Sequence, residues 1–261
     1  MAAIALQALL WTGGLAFTAW LVSLRQKDVS TVDSFWPLLI LTGAASYTLI
    51  APQPGPRALV AVALVALWAM RLAIHITWRH WGKPEDRRYQ AIRARNQPHF
   101  KWKSLVLVFA LQAVLAWVVS SSVLAATVNP RPWHWLDSLG VGVIVAGGLF
   151  EAVADWQLAR FKSDPAHKGK VMDDGLWRYS RHPNYFGEFC VWWGFYLIAL
   201  SAQGGWWAIA SPVLMTVLLL KVSGVALQEK DIAERRPGYR EYINRTNAFF
   251  RADHGLAILK Q

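Results

Sequence analysis

Cysteine is almost missing from this chain: Cys190 is the only one among 261 residues. That count excludes a disulfide framework and a cysteine-based metal site. Acidic residues are scarce as well, 16 against 27 lysines and arginines, for a formal net charge of +11. No segment shows the strand–glycine turn–helix pattern of a soluble dinucleotide fold. The glycines between 140 and 148 lie inside an apolar run and read instead as places of close helix packing. His80 and His99 lack metal-ligand spacing, so no metal is assigned, and no Ser-His-Asp or Cys-His arrangement is readable. With no linker-like stretch and no repeat, residues 1–261 read as a single domain.

What the chain has in quantity is apolar sequence. It is 55% hydrophobic, with sixteen tryptophans. The apolar residues gather into runs near the roughly 20 residues that cross a hydrocarbon core. Spans are expected at about 2–24, 34–51, 58–78, 104–125, 138–158, 185–203 and 205–224. The predicted fold is therefore an all-α polytopic membrane protein of about seven helices. No positive charge precedes the first run, which reads as a span rather than a cleaved signal peptide. Tryptophans such as Trp36, Trp78, Trp81, Trp133 and Trp206 fall near span ends, as in an ordinary aromatic belt.

The positions of the basic residues say more than their sum. Arg57 and Arg131 stand alone in the second and fourth connections, and the sixth has none. The third runs from Arg79 to Lys103 and the fifth from Arg160 to Arg181, both rich in lysine and arginine; eight more lie between Lys221 and Lys260. This alternation predicts an outside N-terminus and a cytoplasmic C-terminus. It accounts for the charge without nucleic acid. It also collects three basic segments on one face, which suits a phosphorylated cofactor. Outer connections are short and turn-like, at Pro52–Pro56 and Asn129–Pro132. The inner ones are mostly long and polar: residues 79–103, which begin Arg-His-Trp-Gly-Lys-Pro-Glu-Asp-Arg-Arg-Tyr, read as a loop followed by a short helix, and 226–236 as a charged helix stopped by Pro237-Gly238.

Ionisable residues inside the spans are costly and mark candidate sites. Arg71, His75 and Arg79 are four apart and share one helical face. Arg79 can snorkel; Arg71 lies deeper, and either a structural partner or a substrate or cofactor contact accounts for it. Glu151 and Asp155 also share a face, as ion-pair partners or as acceptors for a bound cofactor. Pro183 suits the first turn of a helix, beside Arg181, His182, Asn184, Tyr185 and Glu188, where an anion or a plain cap fits.

The stretch Gly175-Leu-Trp-Arg-Tyr-Ser-Arg-His-Pro-Asn-Tyr-Phe-Gly-Glu188 resembles the signature of the steroid 5α-reductase C-terminal domain family, in particular a bacterial branch of membrane proteins. Trp78–Tyr89, Val222–Val225, Glu229-Lys230, Pro237–Tyr242 and Arg245-Thr246 extend the likeness. The resemblance implies a multi-pass protein of the bacterial inner membrane, with a substrate-side half at 1–135 and a cofactor-binding half at 136–261. It implies NADPH as cofactor, contacted by Asp155, Asn184, Glu188, Lys162 and Lys170, with Glu151 at a neighbouring position. Arg178, Arg181, His182, Tyr185, Glu229, Arg240 and Tyr242 complete the expected cofactor set. The implied activity is NADPH-dependent reduction of an activated carbon–carbon double bond in a lipophilic substrate, a steroid being one candidate. His75, Arg71 and Tyr89 are the candidate donors to the conjugated oxygen. The Gln-Glu pair that steroid reductases use on the substrate ketone has no counterpart here. A related signature, Arg-His-Pro-x-Tyr, belongs to integral-membrane isoprenylcysteine carboxyl and phospholipid methyltransferases, which makes an S-adenosylmethionine-dependent methyltransferase the alternative. A scaffold or transporter would need neither cofactor.

Overall fold

The computed structural model describes residues 1–128, 131–222, 224–225, 229, 232, 236 and 238–249. Among them no strand occurs. Helices α1 (Ala2–Gln26), α2 (Thr31–Ile50), α3 (Pro56–His80), α5 (Phe100–Thr127), α6 (Trp135–Ser163), α7 (Pro183–Ser201) and α8 (Gly205–Val222) occupy all seven expected segments. Five of these, α1, α3, α5, α6 and α8, are long and apolar enough to cross a membrane. At 1.5 Å per residue, the 25 residues of α1 or α3 reach about 37 Å, more than the hydrocarbon thickness. Large apolar side chains such as Leu49 and Leu67 point outward, at 84% and 71% exposure. Faces of that kind belong against lipid, and the chain is an integral membrane protein.

Local chemistry explains several boundaries. Lys27 takes a left-handed conformation (φ 56°) and closes α1 with a bond to the Ser23 carbonyl. Pro56 opens α3, where its missing N–H costs nothing. The short helix expected within 79–103 is α4 (Arg87–Arg95), capped by the Asp86 carboxylate accepting from the Arg88 N–H at 2.9 Å. The charged helix expected over 226–236 falls mostly outside the described residues, as do Asn129-Pro130 and the basic tail beyond 249.

The described chain forms two compact units. The first comprises Met1–Gly140 and Phe195–Pro212. In it α1 packs on α2, α2 on α3, and α5 packs against all three. Small residues make this close approach possible: Ala8, Ala16, Ala44, Ala61 and Ala116 are buried. A Cβ on Gly43 would lie 2.6 Å from Ser120 Oγ, which itself bonds the Tyr47 hydroxyl at 3.0 Å. Loop carboxylates stitch the inner connections: Glu85 takes two bonds from Arg93 (2.9 and 2.7 Å) and one from the Val29 N–H (2.8 Å). A buried ion pair joins Arg57 to Asp137, at 2.7 and 2.9 Å.

The second unit comprises Val141–Gly194 and the described residues from Val213 onward. It contains most of α6, the start of α7, the 164–182 connection and α9 (Tyr239–Arg245).

Candidate functional site

In the second unit α6 and α7 cross backbone to backbone. A Cβ on Gly187 would lie 2.6 Å from both the Glu151 nitrogen and the Gly147 carbonyl oxygen. One on Gly147 would lie 2.8 Å from the Gly187 carbonyl oxygen and from Cys190 Cβ. Only paired glycines permit this contact, so Gly147, of the 140–148 run, is a packing glycine as expected. The crossing buries Glu151, Asp155 and Glu188. One turn from it Asn184 donates its Nδ2 to Asp155 Oδ1 at 3.2 Å. That bond fixes the amide's orientation, because a flipped amide would set its oxygen against a carboxylate. Asn184 Oδ1 is then buried with no hydrogen-bond partner among the described residues. An orphaned buried acceptor costs free energy unless something donates to it.

The segment before Asn184 is held from both sides. Gly175 takes φ +60°, which favours glycine, and turns the chain so that the Leu176 N–H reaches Gln157 Oε1 at 3.0 Å. The Trp177 indole donates to the Ala154 carbonyl at 3.1 Å. From the other side the Tyr242 hydroxyl donates to the carbonyls of Trp177 and Ser180. Ser180 Oγ and the His182 N–H both reach the Ala248 carbonyl, at 2.6 and 3.2 Å, and the Arg181 N–H reaches that of Asn247 at 2.9 Å. Pro183 then opens α7, as its geometry predicts, and the His182 ring stacks on Tyr185 at 5.5 Å.

Glu229 sits at the centre of these contacts. Its Oε1 accepts from Arg181 Nε and His182 Nε2, each at 2.8 Å, and its Oε2 from an Arg181 terminal nitrogen at 3.0 Å. Tyr239 adds its hydroxyl at 3.3 Å. Burial alone would raise the Glu229 pKa, but the bonds and charges of His182 and Arg181 outweigh it and hold it at about 2. The Tyr239 hydroxyl is pushed up, by burial first and then by the Glu229 charge.

The predicted cofactor residues are thus divided. Glu151, Asp155, Asn184 and Glu188 lie along the α6–α7 crossing; Arg181, His182, Glu229 and Tyr242 form a fastened cluster beside its start. Lys162, Lys170, Arg178 and Arg240 are exposed. Of these, Arg178 lines a polar cavity of about 410 Å³ with Asp173, Asp174, Tyr179, Arg245 and Thr246. Sequence reasoning missed Tyr239 and the strap at 247–248. Tyr239 lies in the stretch Pro237–Tyr242 that extends the likeness, where aromatic and basic residues alternate, while the backbone acceptors at 247–248 leave no sequence signal.

The candidate donors belong to the first unit. Arg71 and His75 are half-buried on α3, with the His75 ring 6.3 Å from that of Trp78. Tyr89 is buried on α4 and donates its hydroxyl to Asp33 at 2.6 Å, while Arg88 holds the other Asp33 oxygen at 2.7 Å. Burial, and then the Asp33 charge, push the Tyr89 pKa well above the ordinary tyrosine value.

The pattern of one family, described as "Protein of unknown function (DUF1295)", matches residues 19–246. The chain is similar to an uncharacterised protein of Schizosaccharomyces pombe, C594.04c, at 26% identity over 88% of this chain and 75% of that one. No solved structure matches it.

Proposed function

The chain belongs to the DUF1295 family, and we propose that this member is a membrane-embedded, NADPH-dependent reductase of an activated carbon–carbon double bond in a lipophilic substrate. The observation that carries the reading is the buried, orphaned Oδ1 of Asn184, fixed in place by Asp155. It stands among the carboxylates Glu151, Asp155 and Glu188, so this stretch of the crossing is rich in acceptors. Acceptors suit the ribose hydroxyls and carboxamide N–H groups of a nicotinamide nucleotide; they repel its phosphates. The phosphates fall to exposed cations, Lys162, Lys170 and Arg178. When bound, NADPH supplies the hydride; the protein's part is orientation and exclusion of water.

Arg71 and His75 are assigned to polarise the conjugated oxygen. Tyr89 is the least suited of the three, since its hydroxyl is already committed to Asp33. The reading includes seven spans, an outside N-terminus, a cytoplasmic C-terminus and residence in a bacterial inner membrane, supported by the alternation of basic connections. The Asn184 acceptor would equally take the adenine amine of S-adenosylmethionine, so the methyltransferase is the competing assignment.

Titration of the purified full-length protein with NADPH, read by nucleotide fluorescence, tests the proposal. Saturable binding is expected. Asn184→Ala should weaken it about 10- to 100-fold, the cost of about 1–3 kcal/mol for a lost buried hydrogen bond. Unchanged affinity in a folded Asn184→Ala variant overturns the site. Mass spectrometry of the protein purified in mild detergent gives the second arm: co-purifying S-adenosyl compounds in place of NADP species would transfer the assignment to the methyltransferase.

A further inference from the structure

We infer that Glu229 is a positioning residue that fastens the C-terminal segment to the turn aiming Asn184. An ionised carboxylate offers about four acceptor sites. Glu229 receives Arg181 Nε, His182 Nε2 and the Tyr239 hydroxyl at Oε1 and an Arg181 terminal nitrogen at Oε2. Both oxygens are thus engaged by the chain itself, and Oε1 is saturated.

The donors it gathers have a common consequence. The other terminal nitrogen of Arg181 donates to the carbonyls of Ile243 and Thr246, so one guanidinium ties Glu229 to the end of α9. Main-chain bonds continue the fastening: Arg181 N–H to Asn247 and His182 N–H to Ala248. Phe249 then packs edge-on against Phe186 and Phe189 of α7, with ring centroids 6.1 and 6.0 Å apart. Every one of these contacts lands on residues 180–189, and Asn184 stands in their midst. The Arg181 and His182 side chains are only 10% and 5% exposed. Without the Glu229 charge they would be buried cations or donors lacking their partner, and the turn would reorganise. The acceptor of Asn184 depends on its aim, so its affinity for any donor follows the latch.

The effect on affinity rests on the proposed nucleotide site; the latch itself does not, and two measurements separate them. In full-length Glu229→Gln, hydrogen exchange of the amides in 180–188 and 239–248 should quicken at least about tenfold, with α1 to α3 unchanged. In the nucleotide titration, Glu229→Gln should weaken NADPH about tenfold in the wild-type background and less than about twofold when Asn184 is already alanine, as coupled neighbours do. The charge-swapped pair Arg181→Glu with Glu229→Arg should recover part of the loss. Tyr239→Phe, which removes one donor and leaves the carboxylate, is the gentler variant and should show the same exchange pattern at about a threefold level. Unchanged exchange in 180–188 overturns the latch. Additive affinity losses, with exchange quickened, overturn its action through Asn184. If the wild type binds no nucleotide, the proposed function falls and the exchange result alone decides whether Glu229 fastens the turn.

Discussion

Asp137 and Asp155 lie on the same helix, both buried, yet their surroundings are opposite in kind. Asp137, in the first unit, is closed: Arg57 reaches both its oxygens, the Ser201 hydroxyl reaches one, and the His134 N–H reaches the other at 2.8 Å. Arg57 in turn donates to the Pro132 carbonyl at 2.9 Å. Asp155, in the second unit, holds an amide whose other end accepts nothing among the described residues. A closed network stabilises a fold and offers a ligand nothing. An open one lowers stability and marks where a donor is wanted. The two acids therefore separate a structural polar cluster from a candidate binding site on physical grounds.

The contrast is broken most forcefully at Asp137. Asp137→Ala strands the Arg57 guanidinium without its partner and should cost about 3–5 kcal/mol, the usual penalty for half of a buried ion pair. Reversible unfolding in mixed micelles measures it, and variant that still folds should bind NADPH as the wild type does. A large loss of affinity with little loss of stability would erase the distinction between the two acids. Next in size is the crossing itself. Gly187→Ala would force a methyl to within 2.6 Å of backbone atoms of Glu151 and Gly147, which cannot yield as a flexible side chain would. Overpacking of this kind costs about 1–3 kcal/mol. It should also weaken nucleotide binding, because parting α6 from α7 parts Asp155 from Asn184. A Gly187→Ala protein with full stability would mean the helices do not meet as described.

How much of this was written in the sequence differs between the helices and the site. The apolar runs located every long helix among the described residues; five of these can cross a membrane, where a backbone must satisfy its polar groups internally and so must be helical. Pro183 at the start of α7 was legible too, from its fixed backbone geometry. The roles within 175–188 were not. Arg181 and His182 read as groups for an anion because their partner, Glu229, lies far along the chain; only the fold shows that their donors are already engaged. Asp33, which holds Tyr89, was invisible for that reason too. Asn184 was legible as a site residue from the resemblance, but the orientation that leaves its oxygen orphaned depends on Asp155 across the crossing.

The smallest effect expected is an acid-dependent one at Glu229, and it sharpens the comparison by asking whether the fastened cluster is structural in the way the Asp137 network is. The carboxyl faces Arg181, His182 and Tyr239. Its pKa falls from the ordinary 4.5 to about 2 in the folded protein. For a depressed carboxyl the folded state binds the proton less readily than the unfolded one. Its stabilising contribution is therefore whole above pH 4.5 and shrinks as the pH drops toward 2. The stability difference between wild type and Glu229→Gln should accordingly be constant from pH 7 to about 5 and narrow below that. The group is partly open to solvent, at 17% exposure, so the change is a modest one. Thermal unfolding of the pair across that range gives the curve. A gap that widens on acidification would mean that Glu229 is not held as an anion by its neighbours, and the latch would lose its electrostatic basis.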